Sequence, residues 1–325
     1  MTTKNVKSME VGIGIDMGGT RIKIGLVHEG VLVATRKIPA AAHVTLEQRL
    51  AEIAVEADRM LAENNCTPTG VGIAFPGIVD SDNNRILSKY VKYPDARRVD
   101  LSGWAQKQWG IPLALENDAR AALVGEWQYG AGKNCDNLVL ITLGTGVGSA
   151  ALIHGKLLKG KHYHAGNLGG HIAINLHGTE CNCGSVGCVE SEASTWALEK
   201  QVTGSPDYKA SALASEKEIN FNTVFTWAEK GDALAIQIRE NCLKAWATGI
   251  LNLILSYDPE RVVIGGGIMQ GKNLLIPQVR RMIERDSWIN DIPIELVVAE
   301  QVEYAGILGM YYLLSLLQKD YKPVL

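Results

Sequence analysis

One feature limits the fold more than any other: the chain contains an internal repeat. The segment IDMGGTRIKIGLVHEGVLV (residues 15–33) aligns without gaps on ITLGTGVGSAALIHGKLLK (residues 141–159), 126 positions further on. Gly18 then falls on Gly144, Leu26 on Leu152 and His28 on His154. Each copy reads strand, glycine turn, strand, short turn, strand. Each is followed later by another strand that runs into a glycine turn, GVGIAFPG (residues 70–77) and RVVIGGGI (residues 261–268). A repeat of this length predicts two similar lobes built by duplication. Two such lobes would leave a cleft between them, a place ligands favour.

The rest of the chain fits that expectation. Short apolar runs at residues 11–15, 22–27, 31–35, 71–75, 113–115, 138–143, 149–153, 262–264 and 294–298 read as strands. Helical patterns at 46–64, 119–129, 233–255, 274–286 and 305–317 alternate with them. The alternation predicts α/β sheets covered by helices, and 325 residues suit about two domains. With 32 basic and 35 acidic side chains the formal charge is −3. Such a chain lacks the basic surplus that neutralises a phosphate backbone, so nucleic acid is not an expected partner. No apolar run reaches the roughly 18 residues needed to span a bilayer, and the N-terminus lacks the pattern of a secretory signal. A cytoplasmic protein without a membrane partner is expected.

Four glycine-rich or acidic segments carry candidate chemistry. Asp16-Met17-Gly18-Gly19-Thr20-Arg21-Ile22-Lys23 is a glycine turn with an acid at its start. Its backbone N–H groups suit phosphate oxygens, the Thr20 hydroxyl adds a donor, and Asp16 makes sense beside phosphate with a Mg²⁺ between them. The second copy, Gly144-Thr145-Gly146-Val147-Gly148, offers N–H groups and no acid. Neither turn matches a Walker A loop or a dinucleotide fingerprint. Gly265, Gly266 and Gly267 close a β-branched strand and would leave a flat floor for a purine or ribose. In Glu116-Asn117-Asp118-Ala119, Asn117 can fix a ligand hydroxyl and Asp118 can take its proton. The same residues are also preferred helix N-caps.

The sharpest signal is His171-x9-Cys181-x-Cys183-x4-Cys188. One histidine and three cysteines make a closed tetrahedral Zn²⁺ set with no open position, which predicts structural rather than catalytic zinc. The remaining cysteines, Cys66, Cys135 and Cys242, are isolated. His154, His162, His164 and His177 receive no role.

Together these motifs resemble the ROK family of repressors, open reading frames and sugar kinases, from near Val11 to near Leu317. DMGGTRIK and LGTGVGSA resemble its two phosphate motifs, VVIGGGI its adenosine motif, and AFPGIVD the turn of its sugar-binding lobe. ENDARAA resembles the segment with the catalytic aspartate, and CNCGSVGCVE the zinc signature CxCGxxGCxE. The resemblance implies duplicated ribonuclease-H-like (actin-like ATPase) lobes with a cleft between them. The expected division is 1–117 with a C-terminal helix at 305–325, against 118–304. It implies ATP, Mg²⁺ and Zn²⁺, a small-molecule sugar and a homodimer. Asp16 would hold Mg²⁺. Gly18, Gly19, Thr20 and Lys23 would face the terminal phosphates. Gly144, Thr145 and Gly146 would cradle the phosphate tail, and Gly265 to Gly267 would line the adenosine site. Asn117 and Asp118 would bind the sugar, with Asp118 as general base, and Pro76, Gly77, His171 and Glu190 would complete the sugar pocket.

One departure is marked. The family pattern places Glu three residues before the histidine, but the chain reads Ala165-Gly166-Asn167-Leu168-Gly169-Gly170-His171. Allowing one extra glycine puts Asn167 at that position, the preferred alignment because Ala-Gly then still precedes it, and so places Asn167 in the sugar pocket; ungapped counting gives Leu168. Either way a carboxylate near the anomeric end of the sugar is missing. Trp196, a few residues on, would stack on a sugar or fill the core, with core preferred. Only about ten residues precede the first phosphate motif, which favours the kinase branch over the repressors. The expected activity is ATP-dependent phosphorylation of a hexose or amino-hexose, at C6. A sugar-sensing protein without catalysis and a polyphosphate-dependent kinase are the alternatives.

Overall fold

The computed structural model describes residues 8–40, 44–268, 272–286 and 288–320. The chain divides into two compact units. The first comprises the chain through Lys133, the segment Lys159–His164 and the chain from Glu303 onward. The second comprises Asn134–Leu158 and Ala165–Val302.

In the first unit, β1 (Met9–Met17), β2 (Arg21–His28) and β3 (Val31–Pro39) form an antiparallel meander. After helix α1 (Leu46–Glu63), β4 (Cys66–Phe75) adds parallel to β1. The two-residue strands β5 (Val79–Asp80) and β6 (Arg85–Ile86) pair with each other, and α2 (Leu101–Trp109) leads into β7 (Leu113–Asn117), parallel to β4. The sheet order is β3-β2-β1-β4-β7. Helix α3 (Asp118–Tyr129) follows β7 directly.

The second unit repeats this pattern. Strands β8 (Leu138–Leu143), β9 (Val147–Ile153) and β10 (Lys156–Leu157) form the meander. Helices α4 (Val189–Ala193), α5 (Thr195–Thr203), α6 (Phe221–Glu229) and α7 (Ala233–Tyr257) precede β11 (Arg261–Gly265), which is parallel to β8. After α8 (Lys272–Arg285), β12 (Glu295–Val298) closes the order β10-β9-β8-β11-β12. The final helix α9 (Ala305–Asp320) returns to the first unit.

Each sheet is thus mixed, with an antiparallel meander on one side and two parallel strands on the other. The parallel strands are joined through helices, as such crossovers require. In β1, Val11, Ile13, Ile15 and Met17 are all buried on one face. The alternating glycines serve the other face, where α9 lies. A Cβ at Gly14 would stand 2.6 Å from Ile307 Cγ2, and one at Gly72 would stand 2.7 Å from Met310 Cβ. The GxGxD pattern therefore records a helix packed close on the sheet. In the second unit the core centres on α7, whose Trp246 is 1% exposed and donates its indole N–H to Ala193 O at 2.7 Å.

Two expectations are corrected. The division after Asn117 moves to Lys133, because α3 packs on α9: a Cβ at Gly309 would stand 1.8 Å from Ala121 O, and one at Gly125 would stand 2.0 Å from Ala305 O. Residues 321–325 of the expected terminal helix lie outside the described residues. The ungapped repeat offset also fails after the first turn. Ile15 pairs with Ile24 but Ile141 pairs with Ser149, so the second turn is one residue shorter. The following two-residue turns confirm the slip. Glu29-Gly30 and His154-Gly155 both take left-handed φ (49° and 79°; 50° and 72°), so His154 corresponds to Glu29 rather than to His28.

Candidate active site

The first glycine turn joins the inner strands of the first unit's meander. Asp16 and Lys23 are cross-strand partners, and Lys23 Nζ donates to Asp16 Oδ2 at 2.9 Å. Gly18 N–H bonds back to Asp16 O at 3.0 Å. Gly19 faces open space: a Cβ there would meet nothing within 4 Å. A residue that no sequence motif marks, Lys92, donates its ammonium to Gly19 O. It comes from the segment between β6 and α2.

The turn from β7 into α3 is built by capping. Asn117 Oδ1 accepts from Arg120 N at 3.1 Å, so Asn117 is the helix N-cap. Its Nδ2 donates to Gly77 O and to Asp118 Oδ1, both at 2.9 Å. Asn117 thus ties the Pro76-Gly77 turn to Asp118, with both ends of its carboxamide engaged. Asp118 Oδ1 also accepts from Ala119 N at 2.8 Å. Burial pushes the Asp118 carboxyl up to about 6, and the negative charge of Asp16 adds to the effect; the bonds from Ala119 and Asn117 oppose it. Tyr90, which the sequence motifs also leave unmarked, lies close enough to feel Asp118. Its hydroxyl is pushed up to about 12, by burial first and then by that charge.

Behind this turn lies a buried ion pair, Arg120 Nη1 to Glu116 Oε1 at 3.4 Å, with side chains 0% and 2% exposed. Arg120 Nη2 also donates to Tyr163 O at 2.9 Å. Glu116 accepts from Asn117 N at 2.9 Å. The pair fixes the backbone that aims Asp118.

In the second unit, the turn Gly144–Gly146 closes with Gly144 N–H on Gly146 O at 3.0 Å. Thr195 donates to Gly144 O through both N–H and hydroxyl, each at 3.0 Å. Glu190 sits beneath the turn: its Oε2 accepts from Val147 N at 2.8 Å, and its Oε1 from Trp196 Nε1 at 3.2 Å. A Cβ at Gly146 would stand 2.5 Å from Glu190 Oε2. Trp196 is half-buried, and its indole N–H latches Glu190 instead of filling the core.

A cavity of about 420 Å³ opens on Gly144 and Thr145, with Gly267, Asn220, Phe221 and Phe225 among its lining. The second phosphate motif and the triple-glycine motif therefore meet in one pocket. Of the three glycines only Gly267 lines it. Gly266 takes φ of +101° and its backbone lies against β8, where a Cβ would fall 2.1 Å from Leu143 O. The flat-floor expectation thus narrows to one residue, and α6 supplies an aromatic wall that no motif announces.

His171, Cys181, Cys183 and Cys188 bring their ligand atoms within 4.8 Å of one another. Cys181 Sγ lies 3.6 Å from His171 Nδ1, and Cys183 Sγ lies 3.7 Å from Cys188 Sγ. Tetrahedral zinc with bonds of about 2.3 Å to sulfur puts its ligands about 3.8 Å apart, so the set fits the ion. Asn167 is 8% exposed, and its Oδ1 has no hydrogen-bond partner among the described residues. Leu168, the other candidate for that position, is 38% exposed.

Two mixed sheets of the same order, each surrounded by helices, define the duplicated actin/Hsp70-like ATPase fold. The ROK family model matches residues 12–316, and the chain belongs to the ROK family. A glucokinase of Thermotoga maritima is 33% identical over 310 residues, which is 91% of this chain and 95% of its own. A ROK family glucokinase of Streptomyces griseus, solved with glucose and AMPPNP, is 30% identical with TM-score 0.75 over 93% of this chain and 98% of its own. A solved ROK family transcriptional regulator, a homologue of the E. coli MLC protein, is 28% identical with TM-score 0.80 over 96% of this chain and 80% of its own. Among the described residues no helix is long and apolar enough to cross a membrane.

Proposed function

We propose that this protein is an ATP-dependent sugar kinase that phosphorylates a hydroxyl, at C6, of a hexose or amino-hexose. The observation that carries the reading is Asp118, a half-buried carboxylate held at a helix start with its pKa raised to about 6. A base near the working pH suits proton abstraction from an alcohol. Asp118 takes the hydroxyl proton, the oxygen forms the new bond to the γ-phosphorus, and the bond to ADP breaks.

The other residues position the reactants. Gly18, Gly19 and Thr20 face the terminal phosphates, and Lys23 and Lys92 bring positive charge to that turn. Asp16 and Asp118 interact as like charges, and a divalent cation beside Asp16 would relieve that repulsion. Mg²⁺ there would neutralise charge on the phosphates. In the second unit, Gly144 to Gly146 cradle the phosphate tail, and the pocket at Gly267 takes the adenosine between glycine and the Phe221–Phe225 wall. Rate enhancement comes from positioning and charge stabilisation. Zinc on His171 and the three cysteines would hold the loop before α4, which carries Glu190. His171 and Asn167 contribute to the acceptor side.

A coupled ADP-release assay with ATP·Mg²⁺ against glucose, mannose, fructose, allose, glucosamine, N-acetylglucosamine and N-acetylmannosamine tests the reading. A hit abolished by Asp118→Asn is expected. The neutral Asn167 favours a second reading, a sugar-responsive protein without catalysis. Sugar binding by calorimetry with no turnover of any acceptor would support it and refute the kinase.

A further inference from the structure

The segment Lys159–His164 leaves the second unit's meander and packs into the first unit. Its penultimate residue, Tyr163, takes φ of +61°, the left-handed region that aromatic side chains avoid. Such a conformation persists only where surrounding contacts impose it. Here Arg120 Nη2 grips Tyr163 O at 2.9 Å, and Tyr163 OH donates to Asp82 Oδ2 at 3.0 Å. Lys159 Nζ reaches the same Asp82 at 3.2 Å.

The strained loop presents its charge to a cavity of about 560 Å³ in the first unit. Ile78 and Leu87 give it an apolar wall, and Ser88 a hydroxyl. The loop adds Lys161, His162 and His164, with the two imidazoles 5.9 Å apart. All three side chains are exposed, and the described residues give none of them a hydrogen bond or ion pair. Among the described residues no carboxylate lines the cavity. The nearby acids are engaged elsewhere: Asp82 as above, and Asp80 by the N–H groups of Asp82 and Asn83 and by Asn83 Nδ2.

The cavity lies in the same unit as the proposed acceptor residues and is joined to them along the chain. Ile78 follows Gly77, whose carbonyl accepts from Asn117 Nδ2, and that nitrogen also holds Asp118. Ser88 Oγ accepts from Ile78 N at 3.0 Å, fixing the turn. Ile78 in the lining is thus linked through Gly77 and Asn117 to the proposed base.

We infer that the acceptor sugar carries an anionic group, a carboxylate or a phosphate, recognised by Lys161, His162 and His164. The inference rests on the kinase reading for its reaction but not for its binding. Three uncompensated cationic or protonatable groups beside an apolar wall suit an anion on a sugar ring, and offer a neutral hexose nothing it needs.

The test compares three acceptors that retain a primary hydroxyl: glucose, gluconate and glucose 1-phosphate. Each is assayed for ADP release with ATP·Mg²⁺ and for binding by calorimetry without nucleotide. An anionic acceptor is expected to exceed glucose at least tenfold in kcat/KM, and the stronger of gluconate and glucose 1-phosphate identifies the group. Lys161→Ala and the double variant His162→Gln/His164→Gln should each pull that preference toward one, with circular dichroism checking the fold. Anion binding that these variants weaken, without phosphoryl transfer, would keep this inference and sink the kinase. Equal use of glucose and the anions, unmoved by the variants, would sink this inference and keep the kinase.

Discussion

Asp118→Asn should stabilise the protein while abolishing turnover. The folded carboxyl titrates at about 6 against an ordinary value of 3.8. A difference of roughly two in pKa, at about 1.4 kcal/mol for each, is about 3 kcal/mol when the group is fully ionised. The side chain is half-buried, so solvent screening lowers this to about 1–3 kcal/mol. The sign follows from the raised value. Proton binding favours the folded state, so this group's contribution is complete below about pH 4 and is lost as pH rises through about 6. Asparagine never acquires the charge and keeps an oxygen for Ala119 N–H. Urea unfolding of both proteins from pH 4 to 7.5 reads Asp118, together with its coupling to Asp16, by difference. The stability difference should be near zero at pH 4 and grow to its full value by pH 7. In the same window wild-type kcat/KM should fall about tenfold per pH unit below 6, and the variant should lose about 10²–10⁴ in kcat at pH 7.5. A variant less stable than wild type at pH 7, or one with near wild-type turnover, would refute the placement of a strained catalytic base at this position.

Three further outcomes are expected. Elemental analysis of protein purified without chelator should give one zinc per chain, and Cys183→Ser should lower that stoichiometry and the melting temperature together. Gly266→Ala, with its Cβ 2.1 Å from Leu143 O and φ of +101°, should cost at least about 2 kcal/mol in chemical denaturation and weaken binding of a fluorescent ATP analogue. Arg120→Met should cost up to about 3–5 kcal/mol by leaving the buried Glu116 carboxylate with only the more distant Lys159 Nζ at 3.8 Å, and Glu116→Gln/Arg120→Met should recover part of that loss in the same unfolding assay.

Much of this architecture is legible because period and turn chemistry agree. The strand runs and the five long helical patterns all appear, since each carries a clean apolar period over several residues. Helices α2, α4, α5 and α6 escape a sequence reading because they are short. They span only five to nine residues, too short for an apolar period to stand out from a loop or a strand, even in α6, where Phe221, Val224, Phe225 and Ala228 recur at helical spacing. The cluster of His171, Cys181, Cys183 and Cys188 is legible because the geometry of a metal site limits the spacing of its ligands. Lys92 and Tyr90 are not, because a loop brings them beside residues far away in sequence and nothing local marks that approach. Glu190 illustrates a subtler limit. Its place beside the last zinc cysteine is readable, but only the structure shows its carboxylate turned under Gly146 and held by Val147 and Trp196.

The slip of the repeat accompanies a difference in charge between its two copies. Both meanders offer backbone N–H groups at a glycine turn, but only the first carries charge there. Asp16 and Lys23 are cross-strand partners at the end of β1 and β2; the matching pair in β8 and β9 is Thr142 and Gly148. A cross-strand acid and base one pair before the turn place a carboxylate and an ammonium where phosphates would arrive. The uncharged pair, with a turn one residue shorter, leaves room for Glu190 to brace the turn from beneath. Two similar hairpins thus present glycine turns of different character. On the proposed reading, the first would hold a cation and serve the reacting phosphate, and the second would cradle an anion through its backbone. Exchanging the pairs, with Asp16→Thr/Lys23→Gly in the first copy, should therefore remove Mg²⁺-dependent turnover while leaving nucleotide affinity at the second copy within about threefold, a separation that isothermal titration with an ATP analogue would measure directly.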